Sequence, residues 1–311
     1  MSVGSHAEEF AGLPVREFDV EAGIEDAAGV AYRLFVDYDS ETPFDEVLAR
    51  FLEDPATDRV RALIIGSWQA DDAGVGSEAI VEALVAGRDR LPALEALFLG
   101  DIISEENEIS WIVQSDVTPL FDAFPGLREF RVRGGGGLEF GQVRHDRLET
   151  LIVETGGLDG AVVRGIAGST LPALRHLELW LGTENYGASV TPDELNLLLA
   201  ATGLPALRTL GLRNSDLADS VAEVVATSRS TLLDRIEVLD LSYGNLSDAG
   251  ADLLAGCPAV ARLKKLDIHH HYVSPEAVAR LEALGIEVDA DDRREADEYM
   301  GEVNRYNAVS E

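Results

Sequence analysis

The chain has 311 residues, 46% of them hydrophobic, and sets 25 Lys plus Arg against 57 Asp plus Glu for a formal net charge of −32. A surface that acidic repels phosphate backbones and anionic lipid, which excludes unaided nucleic-acid and membrane binding and favours capture of a protein with a basic surface. The single cysteine, Cys257, excludes an internal disulfide.

In chain order, MSVGSHAEEF (1–10) lacks the basic start and apolar core of a signal peptide, and no run of 18 apolar residues occurs anywhere in the chain, so a cytoplasmic location is expected. The runs VREFDV (15–20) and VAYRLFVDY (30–38) alternate in polarity and read as a β-hairpin. TPFDEVLARFL (42–52) then reads as a helix, with Thr42 as cap and Pro43 in its first turn. Residues 1–55 are therefore expected to form an N-terminal cap.

From residue 56 one pattern recurs: an apolar residue, two spacers, then Leu-x-Leu or its equivalent. It stands at 60–65, 94–99, 127–132, 148–153, 174–179, 207–212, 236–241 and 263–268. Its central residues are Leu63, Leu97, Phe130, Leu151, Leu177, Leu210, Leu239 and Leu266, spaced 21 to 34 apart, the long end of the leucine-rich class. Each unit reads as strand, turn and helix. Helix starts are marked by Thr191-Pro192-Asp193-Glu194, Ser247 and Ser274-Pro275-Glu276, and Gly285 marks an end. One unit cannot bury its apolar face alone, but stacked units share a core. The expected fold is an α/β leucine-rich-repeat solenoid: a horseshoe with a parallel concave sheet, helices on the convex side, and a β-hairpin/helix cap at the N-terminus. About eight repeats occupy 56–290, GIEVDAD (285–291) is a last edge strand, and 291–311 is a charged helix or tail.

The 236–256 unit resembles the ribonuclease-inhibitor-like class of repeats. The whole chain resembles an uncharacterised family of bacterial cytosolic leucine-rich-repeat proteins, whose repeats also occur behind WGR domains. The runs carrying that resemblance are FAGLPVREFD (10–19), FLGD (98–101), EISWI (108–112), RVRGGGGLEF (131–140), LWLGT (179–183), GLRNS (211–215) and LKKLDIHHHY (263–272). The resemblance implies a binding scaffold and supplies no catalytic residue or cofactor. One departure stands out. The asparagine that ties neighbouring turns in typical repeats, three residues after the second Leu, is replaced by Gly156, Gly182, Ser215, Gly244 and His271, so backbone contacts are expected to hold the turns.

Alternation also orders the concave face. The residues flanking each inward Leu face the open side, and in the middle of the sheet they are chemically dense: Arg131, Arg133, Glu154, His176, Glu178, Trp180 and Arg213, followed by Asp240, Asp267 and His269. Trp and Arg anchor interfaces more often than other residues. These ten residues are the expected partner-binding set, with Trp180 exposed at its centre. Pairing of opposite charges across the sheet is the bland alternative. The expected function is a non-enzymatic scaffold, monomeric, binding a protein with a basic surface on the concave face. The alternatives are a regulator in a nucleic-acid-associated complex and a small-molecule or enzymatic site on the same sheet, which would need a deep pocket with perturbed carboxylates.

No cofactor and no metal site are expected. In a strand, at most two of His269-His270-His271 share a face, and no ligand spacing accompanies them. Gly134–Gly137 lacks the Lys and Ser/Thr of a phosphate loop and reads as a tight turn. GDIISEENEISWI (100–112) lengthens one repeat and reads as an acidic loop overhanging the sheet edge, with Trp111 packed as a plug. Cys257 reads as a buried, inert thiol.

Overall fold

A Leu-x-Leu segment becomes a strand because successive side chains leave a pleated chain on opposite faces, so both leucines reach the same core. All eight segments do so in the computed structural model, which describes residues 3–68, 74–299 and 302–309. They are β4 (Ala62–Ile65), β5 (Ala96–Leu99), β6 (Glu129–Arg133), β7 (Thr150–Glu154), β8 (His176–Gly182), β9 (Thr209–Ser215), β10 (Val238–Asp240) and β11 (Lys265–Asp267). Three strands precede them, β1 (Glu9–Phe10), β2 (Leu13–Glu17) and β3 (Ala31–Leu34), and β12 (Glu287–Asp289) comes last. The twelve form one sheet in chain order. Every pairing from β2 to β12 is parallel, and the eight central Leu/Phe residues fall into strict register.

Those eight side chains are at most 1% exposed and lie in one continuous core that runs the length of the sheet. Full burial of each is worth about 1.5–3 kcal/mol relative to exposure. Helices cover the other face: α1 (Phe44–Glu53), α2 (Glu78–Ala86), α3 (Thr118–Ala123), α4 (Gly160–Gly168), α5 (Pro192–Leu199), α6 (Ala218–Thr227), α7 (Asp248–Ala255) and α8 (Pro275–Glu282). Thr191 and Glu194 close a full capping box on α5, Ser247 and Ser274 cap α7 and α8, and Gly285 takes a left-handed φ of 76° just past α8. Helix α1 begins one residue later than expected, with Pro43 at the cap.

Three expectations need correction. Residues 15–20 and 30–38 are not a hairpin. Val15 pairs with Ala31 in parallel, and the hairpin that does stand at the N-terminus is β1–β2, turning at Ala11-Gly12. The solenoid thus starts two strands earlier than the Leu-x-Leu pattern shows. The tail is not a helix: β13 (Asp297–Tyr299) and β14 (Glu302–Asn304) form a separate antiparallel ribbon, and residues 300, 301, 310 and 311 lie outside the described residues. Finally, β6 and β7 are joined by 134–149 without a helix, since the 21-residue repeat is too short for one. Phe140 and Val143 fill that part of the core instead.

Main-chain hydrogen bonds tie the turns together, and at one of them the Asn245 side chain contributes as well, its Oδ1 accepting from Ala218 N–H at 3.1 Å and its Nδ2 donating to Asp216 O. Thr183 N–H donates to Gly156 O at 2.8 Å, Asp216 N–H to Gly182 O at 3.2 Å and Asn245 N–H to Ser215 O at 3.0 Å. Close approach explains the glycine at 182: a Cβ there would sit 1.9 Å from the Gly156 carbonyl oxygen, and φ is +71°. At Gly134 (φ +109°) a Cβ would lie 2.6 Å from the Ile112 side chain. The glycine run therefore serves the passage of the 112–114 segment beside it. Asn214, Tyr243 and His270 occupy equivalent positions two residues past the second apolar residue of their repeats, and all are left-handed at φ 54°, 64° and 58°. Asn tolerates that conformation best of the three.

Candidate functional site

The concave rows fall where alternation puts them. Arg33, Ile64, Phe98, Arg131, Ile152 and Glu178 lie side by side on β3 to β8, and Gly211, Asp240, Asp267 and Asp289 continue the row to β12. The row is not open along its length. Three segments of the same chain cross it: residues 3–13, the loop 100–112 and residues 305–309.

Over β3 to β5 the roof is apolar. Phe10 covers Ala31, Ala62, Ile64, Ala96 and Phe98, which are all at most 1% exposed, and Ala7, Leu13 and Val15 pack around it. Phe98 also lies under the guanidinium groups of Arg131 and Arg133, at 4.4 and 5.1 Å. Beside it runs a buried ion network. Asp101 accepts from Arg33 Nε at 3.2 Å and lies 3.5 Å from Arg133 Nη1, while Glu154 accepts from Arg133 Nε at 2.8 Å and from Arg131. Arg133 also donates to Ile102 O at 2.8 Å. Burial by itself would raise the Glu154 carboxyl, but the two guanidinium groups outweigh it and hold it below the ordinary value.

At the centre, Glu178 accepts from Trp180 Nε1 and from Arg213 Nη1, both at 2.7 Å, and Nε2 of His176 stands 3.4 Å away. Burial raises the Glu178 carboxyl, yet the His176 hydrogen bond, the Arg213 charge and the indole N–H bring it down to about 2. Arg213 reaches on to Ser242 Oγ at 2.9 Å and Asp240 at 3.3 Å, and lies over the Tyr243 ring at 4.6 Å. Trp180 corrects the expectation of an exposed anchor. It faces the concave side but is 7% exposed, packed under Ile109, Val309, Val3, Ala308 and Tyr243. Arg133 and Glu154 are sealed in the same way, at 3% each. Ile109 is the loop's real plug, while Trp111 is 58% exposed and donates to Glu108 at 3.2 Å.

Toward the far end Asp240, Asp267 and Asp289 stand opposite one another on β10, β11 and β12. Lys265 Nζ lies 3.0 Å from Asp267 and 3.1 Å from Asp289, and His269 Nδ1 is 2.7 Å from Asp267. Burial raises Asp267, but the side-chain and backbone hydrogen bonds of His269 and the Lys265 contact lower it to about 2. Asp240 goes the other way: burial raises its carboxyl, Arg213 offsets only part, and Asp267 adds repulsion. Asp267, His269 and Asp289 bring ligand atoms within 4.8 Å of one another, the geometry a metal ion would need. Lys265 already places a cation between the two carboxylates, which balances one of their two negative charges from within. His270 and His271 point elsewhere: His270 meets Asp292 at 3.1 Å and His271 meets Ala290 O at 2.9 Å.

Between the roof and the sheet lies a cavity of about 370 Å³ lined by Val3, Gly4, Ser5, Arg131, Arg133, Ile152, Glu154, Glu178, Trp180, Arg213 and Tyr243. Seven of the ten expected residues thus converge around the cavity or, for His176, at its edge. Asp240, Asp267 and His269 form an adjoining strip. Glu154 and Glu178 are both held ionised, so neither supplies a proton near neutral pH. The arrangement suits recognition of charge and of hydrogen-bonding groups.

Sequence reasoning missed Arg33, Asp101, Asn214 and Tyr243. The arginine in the otherwise apolar run AYRLF (31–35) is a signal for the first, since it occupies an outward position of β3. The roofing contacts join residues far apart in the chain, 34 positions for Tyr272 and Tyr306 and 95 for Asn214 and Val309, and leave no local pattern.

No protein-family model matches the chain, and no curated protein does. Among solved structures, a protein from Bacteroides fragilis superposes with a TM-score of 0.78 at 29% identity, covering 90% of this chain and 77% of that one. The TLR13–ssRNA13 complex gives 0.41 at 12% identity, with 85% and 37% covered, and an internalin from Listeria monocytogenes gives 0.31 at 11%, with 86% and 75% covered. The eight registered Leu-x-Leu strands, stacked in chain order with helices behind them, decide the architecture. The fold is a leucine-rich-repeat solenoid. Among the described residues no helix is long and apolar enough to cross a membrane.

Proposed function

We propose that this solenoid is a non-enzymatic scaffold that docks a protein with a basic surface on the concave strip its own segments leave open. The observation that carries this reading is the row Asp240, Asp267 and Asp289. Like charges on neighbouring strands cost stability, and burial already raises Asp240. Lys265 and Arg213 supply two permanent cations for the three carboxylates. The remaining negative charge, on a chain of net charge −32, favours a cationic group arriving from outside. Arg131 on β6 and His176 on β8, with side chains 27% and 34% exposed, add partly exposed polar groups farther along the same face.

The test is a titration of a partner recovered by affinity capture and then purified. Asp240→Asn is expected to weaken binding about tenfold, the effect of losing one well-placed charge pair, and binding should fall steeply with added salt. A partner indifferent both to that substitution and to salt would refute docking on this strip.

A small-molecule site is the second reading, favoured by the cavity under Val3–Ser5. Its ligand would have to displace internal Arg–carboxylate pairs, which is why we place it second.

A further inference from the structure

Residues 305–309 do not simply drape over the sheet; they are read by it. Three consecutive repeats each contribute one residue at the strand exits. Tyr272 OH accepts from Tyr306 N–H at 3.0 Å and donates to Tyr306 O at 3.1 Å. The Tyr243 carbonyl accepts from Ala308 N–H at 2.8 Å. The Asn214 carboxamide then takes both main-chain groups of one residue: its Oδ1 accepts from Val309 N–H at 2.9 Å and its Nδ2 donates to Val309 O. A carboxamide that pairs with the N–H and C=O of a single residue offers the same donor and acceptor that a neighbouring main chain would.

Those hydrogen bonds end on main-chain atoms of the 306–309 segment, and the Asn307 side chain adds its own, its Nδ2 donating to Asn214 O and Oδ1, both at 3.2 Å. Two further features add selectivity. Val309 is 2% exposed, in a pocket walled by Ile109 and Trp180. Four residues earlier, Arg305 Nη2 lies 3.7 Å from Asp219. Asn214 itself is fully buried and left-handed, a conformation that fixes its carboxamide toward the segment.

The hold on the segment is weak by construction. One β-branched side chain is buried, and each hydrogen bond is worth only about 1 kcal/mol net because water replaces it. The tether is the two-stranded ribbon β13–β14, separate from the main sheet, and an isolated hairpin is marginal in water.

We infer that Asn214, Tyr243 and Tyr272 form a peptide-binding site for a short segment, bent one residue before its end, that carries a basic residue four positions before a β-branched one, and that residues 305–309 occupy it in cis. The inference rests on the docking function proposed above and adds the form of the ligand: a short basic peptide rather than a folded surface alone.

The experiment uses the full chain and a fluorescent peptide with the sequence of residues 303–309, followed by anisotropy. In the wild type the tethered segment competes at an effective concentration of order millimolar, so the peptide should bind poorly. V309D, which puts a charge into the apolar pocket, should release the segment and bind the peptide at least tenfold more tightly. N214G keeps the left-handed backbone and removes the carboxamide, so V309D/N214G should return to the wild-type level or below. If V309D does not fold, V309S carries the same comparison with an expected gain of about threefold. A variant with native circular dichroism that takes up the peptide no better than wild type overturns the inference, as does equal binding by the N214G double variant. Because this assay needs no partner, its failure sinks the peptide site and leaves the Asp240 test of docking to stand or fall separately.

Discussion

The two ends of the concave face are roofed by the same chain with opposite chemistry. Over β3 to β5 the roof is Phe10 on Ala62, Ile64 and Phe98, a dry contact between fully buried apolar groups. At the exits of β9 to β11 it is a run of main-chain hydrogen bonds around one buried valine, beside arginines and carboxylates. Apolar burial has no substitute in water, whereas hydrogen bonds to water replace hydrogen bonds to protein almost one for one. The first roof belongs to the fold, and on the reading proposed above the second is exchangeable, which would divide the sheet into a structural half and a binding half.

The hardest blow to that division would come from Phe98. Phe98→Ala should cost about 3–5 kcal/mol, the usual loss for a buried Phe, seen as a large drop in the urea midpoint. A loss under about 1 kcal/mol would mean the N-terminal roof is as dispensable as the other. Next in size is Glu154→Gln. It leaves Arg133, 3% exposed, with a weakened partner, and breaking a buried pair of this kind costs about 3 kcal/mol.

Acid titration sharpens the comparison from the binding half. Glu178 and Asp267 are each lowered to about 2 in the folded chain. A depressed folded pKa means stability that is fully present above the unfolded value near 4 and lost as pH falls toward 2. Unfolding free energy should therefore decline between about pH 5 and pH 2, and Glu178→Gln should flatten part of that slope. A slope unchanged by the substitution would remove Glu178 from the account.

The smallest effect is expected at the outer rim. Arg61 and Glu95 pair at 2.6 Å but are 48% and 39% exposed. Arg61→Ala should shift stability by no more than about 1 kcal/mol, which a thermal melt resolves as a change of a few degrees at most.

Much of the architecture was readable from residue order. The period-2 burial of Leu63, Leu97, Phe130, Leu151, Leu177, Leu210, Leu239 and Leu266 places all eight strands, because register in a half-buried sheet is set by which face is apolar. The same alternation puts Arg131, Glu178 and Asp240 on the concave side. Solvent access to those positions was not readable. Trp180 is covered by Val3, Ile109 and Val309, whose own surroundings in the sequence show no period. Arg16 and Tyr32 are parallel partners on β2 and β3, two strands that lack Leu-x-Leu and so escape the repeat count. Asn214 differs from its neighbours only in being the residue type most at ease with a left-handed backbone, a cue that alternation alone does not weigh.

The two ends of the sheet have a consequence for growth into fibres. A parallel sheet with raw borders invites another copy to add strands. Here β1 folds back antiparallel on β2 and covers one border. The other, β12, presents Glu287 and Asp289, so an incoming strand from a chain of the same acidity would meet carboxylates where it needs apolar neighbours. High concentrations of this protein should therefore stay dispersed, and exchanging Glu287 and Asp289 for apolar residues should make it prone to stacking.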